Sequence, residues 1–458
     1  AGSVMSACET PEARTHEALP EDPRGLFRLL LVAALAGVLI GLVGSAFRLI
    51  LQQALLLSQR MLAFADAQGS WGILVPVLAV ALCAAAARAL VRLAPEAGGS
   101  GVQQIEAMMR LESEPTRLRV LLVKFFGGSL ALGSGLALGR EGPTIQMGAA
   151  IGASLAQAAR LAAADIRIMA AALSGAGLGV AFAAPLAGVL FTFEEISRRF
   201  SLRLMLASLL ACAVAWQTSL LLLGDGPIFK VPAIPPLDWT ALLPALLFGC
   251  LMGALGVVYN RLVITLLEGA DRFARVPGEV KAGLIGALIG LIMWFEPTWA
   301  GGGEPLTQQL LDNPGGMLLP LLLILGVRLL IGPLSYAAGT PGGLFAPALL
   351  IGALCGVLFA GLCNTYLSMQ ISPVAFALLG MTAFFAAVVR APLTGIAVII
   401  EMTAISSLIM PMLLTTAMAV AVASAMRSPP IYDTLRLRML GKHRVGSRHC
   451  RHCISSAV

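Results

Sequence analysis

Long uncharged apolar runs, separated by short polar or glycine-rich breaks, occupy nearly all of this 458-residue chain. Leu29–Phe47, Trp71–Ala87, Leu204–Gly224 and Thr403–Met426 are the clearest of them. Each is near or above the ~18 apolar residues that carry a helix across the hydrocarbon of a bilayer. Sequence of this kind extends from about Phe27 to Met426, which predicts an all-α, polytopic membrane protein with no sizeable soluble module. A proline-rich break near Gly224–Asp238 divides it in two. The expected organisation is a cytoplasmic segment over 1–26, a membrane unit over 27–224, a linker over 225–238, a second membrane unit over 239–426 and a cytoplasmic tail over 427–458.

The two units resemble each other. Ala184-Pro185-Leu186-Ala187-Gly188, with Glu194 and Glu195 beyond, recurs as Ala391-Pro392-Leu393-Thr394-Gly395 with Glu401 beyond, an offset of 207. Gly148–Ala153 recurs as Ala348–Ala353, an offset of 200. Small-residue helices share composition, but two matches in one order, one of them followed by an acid, argue for duplication. Duplicated helical units with breaks at matching positions place a transport site where the units meet. Sequence leaves their relative direction open.

Composition fits the membrane class, with 58% hydrophobic residues, 12% charged and a mean hydropathy of +0.89. A soluble domain carries roughly twice that charged fraction. Residues 1–26 hold both signs of charge and do not read as a cleavable signal peptide. Arg198, Arg199 and Arg203, and the basic stretch from Arg427 to Arg451, face the cytoplasm by the positive-inside rule. The net charge of +7 is then a topology signal plus a basic tail, and it requires no nucleic-acid partner.

Five of the eight cysteines, Cys83, Cys212, Cys250, Cys355 and Cys363, lie in or beside apolar runs and read as small hydrophobes. His449, Cys450, His452 and Cys453 are metal-ligating residue types in a basic tail, and no metal is assigned to them. All four histidines lie outside the membrane region. An intramembrane proton carrier must therefore be a carboxylate or a tyrosine, and no cofactor is expected. Enzyme chemistry has little footing, because no nucleophile–base pair can be picked out.

The stretch Leu138-Gly139-Arg140-Glu141-Gly142-Pro143 sets two charges inside oily sequence. Insertion scales charge about 2.5–3.5 kcal/mol for such a residue at mid-membrane, so an intramembrane ion points to a substrate path. A static ion pair between Arg140 and Glu141 is the plain alternative. Three glycine-rich breaks, Gly98–Val102, Gly139–Pro143 and Gly339–Pro347, each precede a segment that can be helical. Pro143 and Pro347 suit a helical first turn, where a missing N–H costs nothing. A helix start offers unpaired N–H donors and partial positive charge, which is a ready anion site. Glycine in a membrane bundle also serves helix packing; three such breaks, one holding a charged pair, favour anion transport.

At this point the chain resembles the CLC family of chloride channels and proton-coupled chloride transporters. Gly99-Ser100-Gly101, Gly139–Pro143, Gly343-Leu344-Phe345-Ala346-Pro347 and Tyr432 are similar to its four signature elements, in order, over about residues 25–440. The resemblance implies an inverted repeat with tilted and re-entrant helices and a homodimer with one pore per subunit. It also implies a central anion held by Ser100, Tyr432 and the backbone N–H groups of Leu344 and Phe345, with Gly101 beside them. Glu141 matches the gating and external proton-transfer glutamate, Glu195 the internal one, and Arg140, Glu106 and Lys124 match supporting positions. Glu106 and Lys124 are expected as a buried pair near Glu195.

The resemblance implies chloride/proton antiport, with a passive chloride channel as the alternative and chloride, protons, lipid and a second copy as partners. A cytoplasmic proton would reach Glu141 from Glu195 along water, across about half the membrane. Helix-end salt bridging with Arg198 and Arg199 is the bland reading of Glu194 and Glu195. One departure stands out: family exchangers usually have proline and glutamate where Gln103 and Gln104 follow Val102. Loss of that proline is expected to loosen the helix start behind Ser100. The filter residues of the fluoride-exporting branch are not seen, and the paired regulatory domains of many eukaryotic relatives are missing.

Overall fold

The structure, a computed structural model, describes residues 23–315 and 317–441, so the four-residue histidine–cysteine group of the tail lies outside it. The first half holds α1 (Pro23–Asp66), α2 (Leu74–Leu90), α3 (Val102–Met109), α4 (Leu118–Gly133), α5 (Glu141–Ala158), α6 (Ala163–Phe182), α7 (Pro185–Phe191) and α8 (Leu202–Leu223). The second holds α9 (Trp239–Arg272), α10 (Gly278–Phe295), α11 (Glu304–Asp312), α12 (Leu318–Ala337), α13 (Phe345–Tyr366), α14 (Pro373–Val389), α15 (Pro392–Thr403) and α16 (Ile409–Ala425). A last helix, α17, covers residues 431–441. Among the described residues eight helices are long and apolar enough to cross a membrane. The protein is an all-α, multi-pass membrane protein.

Burial sorts the helices into an interior and a perimeter. The most apolar stretch of α13 is 83% buried, whereas that of α2 is 22% buried and leaves its leucines to lipid. At 1.5 Å per residue the 44 residues of α1 reach roughly 66 Å, about twice the ~30 Å hydrocarbon, so α1 tilts or projects. The interior is built on close backbone approach. Gly148 and Gly152 bring α5 onto the carbonyls of Leu173 and Met169 of α6, and Gly352 and Gly356 bring α13 onto those of Gly380 and Phe376 of α14. A Cβ at any of the four would overlap the facing carbonyl. Gly152 and its counterpart Gly352 thus do the same packing work in each half.

One expectation from the hydrophobic pattern fails. Thr403–Met426 is not a single span: α15 ends at Thr403, the chain turns through Ala404 with φ 56°, and α16 begins at Ile409. The Thr403 hydroxyl donates to Ile399 O (2.6 Å) and accepts from Ile405 N (3.3 Å), so an uncharged side chain serves the break. Trp71 likewise lies in a short 3₁₀ turn, Gly69–Ile73, ahead of α2.

The duplicated Ala-Pro-Leu-x-Gly motif reveals how the halves face each other. Glu194, past the end of α7, accepts from Leu393 N (3.0 Å), Thr394 N (2.7 Å) and Thr394 Oγ1 (2.8 Å) at the start of α15. Glu401, near the end of α15, accepts from Leu186 N (3.0 Å) and Ala187 N (2.8 Å) at the start of α7. Each acid caps the other half's helix, where a carboxylate meets both free N–H groups and the positive dipole end. The exchange requires α7 and α15 to run antiparallel, so the two copies of the motif are inverted. Replacing Glu401 with alanine strands two amides and is expected to cost about 1–3 kcal/mol, seen as a lower thermal unfolding midpoint in detergent.

Candidate functional site

The three glycine-rich breaks are woven together by backbone hydrogen bonds. Gly99 N donates to Thr340 O and Gly342 N to Gly99 O, both at 3.1 Å; Gly139 and Gly343 exchange two bonds of 2.8 Å. The second-half break therefore lies between the two first-half breaks, and the amino ends of α3, α5 and α13 come to one place. Within α5 the first helical bond there is Thr144 N to Arg140 O, and within α13 it is Ala348 N to Leu344 O. The amides of Glu141 and Gly142, and of Leu344, Phe345 and Ala346, precede those bonds, while Pro143 and Pro347 have no N–H to place. Free donors and three partial positive charges converge here.

Ser100, Phe345 and Tyr432 share this place. The Phe345 ring stacks on Tyr432 (centroids 5.8 Å, 28°) and also touches Phe385, Phe191 and Phe182. The Ser100 and Tyr432 hydroxyls face each other, are fully buried, and complete no hydrogen bond of ordinary geometry. Buried hydroxyl donors of this kind need an acceptor. A methyl group on Gly142 would come within 2.7 Å of Ser100 Oγ, so only glycine lets the start of α5 lie against the serine. Gly101, at φ 97°, opens α3 in a left-handed conformation that favours glycine, and Val102 follows as the first helical residue. The start of α3 is thus formed without the family's proline.

Glu141 opens α5 and is completely buried. Its carboxylate oxygens lack a hydrogen bond of ordinary geometry and face the N–H groups of Glu141 itself and of Ala346, at the start of α13. An acid here stands where an anion would stand. Arg140 does not pair with it. Arg140 instead reaches Glu304 (2.9 Å) and donates through Nε to Ala181 O (3.1 Å). Arg140, Glu141 and Glu304 line a cavity of about 350 Å³ together with Gln52, Gln309 and Ala346. Arg328 on α12 braces the wall of that cavity, donating to Gly301 O (2.6 Å) and Ala300 O (3.0 Å).

Lys124 and Glu106 are not brought together. Lys124 Nζ donates to Gly99 O (2.6 Å) and Ser100 O (3.1 Å), bracing the serine from behind. Glu106 lies beside Glu195, with Arg198 at 3.7 Å and Arg436 at 3.9 Å. Both are buried as expected, but they do not form a pair, because the lysine is taken up by the two carbonyls of the Ser100 loop. Glu195 sits in a π-helical turn, Thr192–Ser197, its side chain buried beneath Arg198 Nη2 at 3.3 Å.

Arg198 also holds Asp433 (2.7 Å), the residue after Tyr432, and Arg110 holds the same acid from α3's end (3.0 Å). Burial pushes the Asp433 carboxyl up, but its hydrogen bond to Arg198 and the charges of Arg198, Arg110 and Arg436 hold it below the usual carboxylate range. Sequence reading missed Glu304, Tyr336, Arg328 and Asp433. Their charge or hydroxyl in oily or terminal sequence was a signal, but their partners lie far away in the chain.

Residues 81–424 match the family described as voltage gated chloride channel. The chain is 35% identical over 436 residues to the H(+)/Cl(−) exchange transporter ClcA of Vibrio cholerae and 37% identical over 436 residues to that of Vibrio vulnificus, covering 90% of each chain in both cases. Among solved structures it resembles a slow cyanobacterial Cl−/H+ antiporter, with a TM-score of 0.86 and 32% identity, covering 91% of this chain and 99% of that one. A eukaryotic CLC transporter shares the fold at 24% identity and a TM-score of 0.75, covering 90% of this chain and 74% of that one.

Proposed function

This chain belongs to the voltage gated chloride channel family, and from that premise we propose that it exchanges chloride for protons across the bacterial inner membrane. The observation that carries the reading is the place of Glu141: a carboxylate among the free amides of α5 and α13, in the seat a halide would take. Chloride binds to Ser100 Oγ, Tyr432 Oη and the Leu344 and Phe345 amides. Neutral donors and dipoles hold it without the tight grip of a full cation, which permits release.

Glu141 competes with chloride while ionised. When it takes a proton its charge is lost, the amides no longer hold it, and the seat is free for the anion. Arg140, fixed by Glu304 and Ala181 O, keeps positive charge at the vestibule mouth without clamping Glu141. Glu195 passes protons between the cytoplasm and the interior, under Arg198. Chloride and protons are the transported partners, no cofactor takes part, and the reaction makes or breaks no covalent bond beyond proton transfer. The protein works as a homodimer whose face includes exposed apolar residues of α8 and α16, such as Leu209, Leu221, Met410 and Leu413.

Proteoliposomes loaded with chloride and diluted into low-chloride buffer at equal pH test this. With the voltage held by a potassium ionophore, chloride efflux is expected to draw protons inward although no proton gradient drives them. Chloride efflux with no proton uptake would instead identify a passive channel.

A further inference from the structure

We propose that Tyr336 and Gln103 form a lock that fixes the Ser100 loop and thereby sets this protein's preference for chloride over larger, flat anions such as nitrate. The proposal deepens the chloride reading of Ser100 above and rests on it.

The backbone around Ser100 is fully occupied. Gly99 N donates to Thr340 O, and Gly99 O accepts from Gly342 N and from Lys124 Nζ. Ser100 O accepts from Lys124 Nζ. Ser100 N–H alone is taken by a side-chain hydroxyl, donating to Tyr336 Oη at 3.3 Å. That bond turns the amide toward α12 and leaves only Ser100 Oγ to face Tyr432. Tyr336 is 4% exposed and lies in the last turn of α12, just before the break that carries Leu344 and Phe345. One hydroxyl thus ties a first-half filter element to the second half.

Gln103 completes the lock. Its side-chain amide lies against the Tyr336 hydroxyl, and both Tyr336 Oη and Gln103 Nε2 crowd the space beside Gly99, at 2.9 and 3.6 Å from a Cβ built there. Gln103 Oε1 is buried and without a partner. A half-turn of the amide, which exchanges its O and N ends, gives the Tyr336 proton an acceptor while the hydroxyl's lone pair keeps Ser100 N–H. A polar pair thus rigidifies the start of α3, where a proline would otherwise restrict it. Gln104 points elsewhere, donating to Glu96 O at 3.1 Å.

The rigidity matters because the hydroxyl must stay where a compact, spherical ion places it. A loop free to shift can re-aim Oγ toward a broader anion. Chloride and nitrate fluxes from the same proteoliposomes, measured for Tyr336→Phe, Gln103→Leu and the double variant, test this. Each single variant is expected to raise the nitrate-to-chloride flux ratio by about threefold or more, and the double variant no further than Tyr336→Phe alone, since the two residues act as one unit. Gln104→Ala should keep the wild-type ratio. Should Tyr336→Phe fail to fold, Gln103→Leu, which strands no amide, still reads the lock. Unchanged selectivity in the single variants, or a full Gln103→Leu effect in the Tyr336→Phe background, would overturn the proposal. Wild-type vesicles that move no chloride would sink the underlying chloride reading instead.

Discussion

Glutamine in place of Glu141 is expected to bring chloride-driven proton uptake down to the level of protein-free vesicles while chloride flux continues. The substitution keeps the size and shape of the side chain and removes its charge. Glu141 is fully buried and faces the amides of Glu141 and Ala346, so its ionised form has a defined seat only as a substitute anion. An amide cannot play that part. It carries no charge and turns one of the two acceptor oxygens into an N–H donor, so it holds the seat too weakly to compete with chloride at any pH.

The variant's chloride flux should therefore lose its dependence on external pH. Stability should change little, because neither carboxylate oxygen completes an ordinary hydrogen bond in the wild type. Simultaneous recording with chloride and pH electrodes checks both parts. Proton uptake at the wild-type ratio in this variant would remove Glu141 from the mechanism.

Much of this site was legible in the sequence because helix starts carry local signals. Glycine, a charged or hydroxyl residue and a first-turn proline sit within six residues of each other at Gly139–Pro143, and glycines and proline recur at Gly339–Pro347. The specific roles of Ser100, Glu141 and Tyr432 came from resemblance to the family, not from spacing. What stayed hidden depends on contacts between distant segments. Arg140 has Glu141 next to it in sequence, yet its partner is Glu304, 164 residues away (304 − 140).

Lys124 and Glu106 are opposite charges on neighbouring segments. Their pairing was a reasonable expectation, but two loop carbonyls claim the lysine first. The break after Thr403 was invisible for a different reason. Hydropathy registers charge, and this turn, residues 404–408, carries none. Tyr336 carries no local signal either, since its hydroxyl accepts from Ser100 N, 236 residues away (336 − 100).

Glu194 and Glu195 are neighbours of identical chemistry, and only their surroundings separate them. Both oxygens of Glu194 are spent on the start of α15, through two amides and a hydroxyl, so a proton arriving there would break a helix cap. Glu195 has one oxygen on Arg198 and the other without a partner, and it lies beside Glu106, a second buried carboxylate. A proton placed between those two acids relieves their mutual repulsion, and its arrival or loss disturbs no helix end. Arg198 roofs the pair with a half-buried guanidinium that is also held by Asp433, so the cytoplasmic approach to Glu195 passes that ion pair.

Replacing Glu195 with glutamine is thus expected to reduce proton uptake to background and leave chloride flux close to the wild-type rate. Here the flux should keep its dependence on external pH, since Glu141 remains intact and titrates from the outer cavity. That contrast separates the two glutamates in one experiment: both variants lose coupling, but only the Glu141 variant loses the pH response of chloride movement. A Glu195→Gln protein that still pumps protons at the wild-type ratio would place the internal proton donor elsewhere, with Glu106 the next carboxylate to replace.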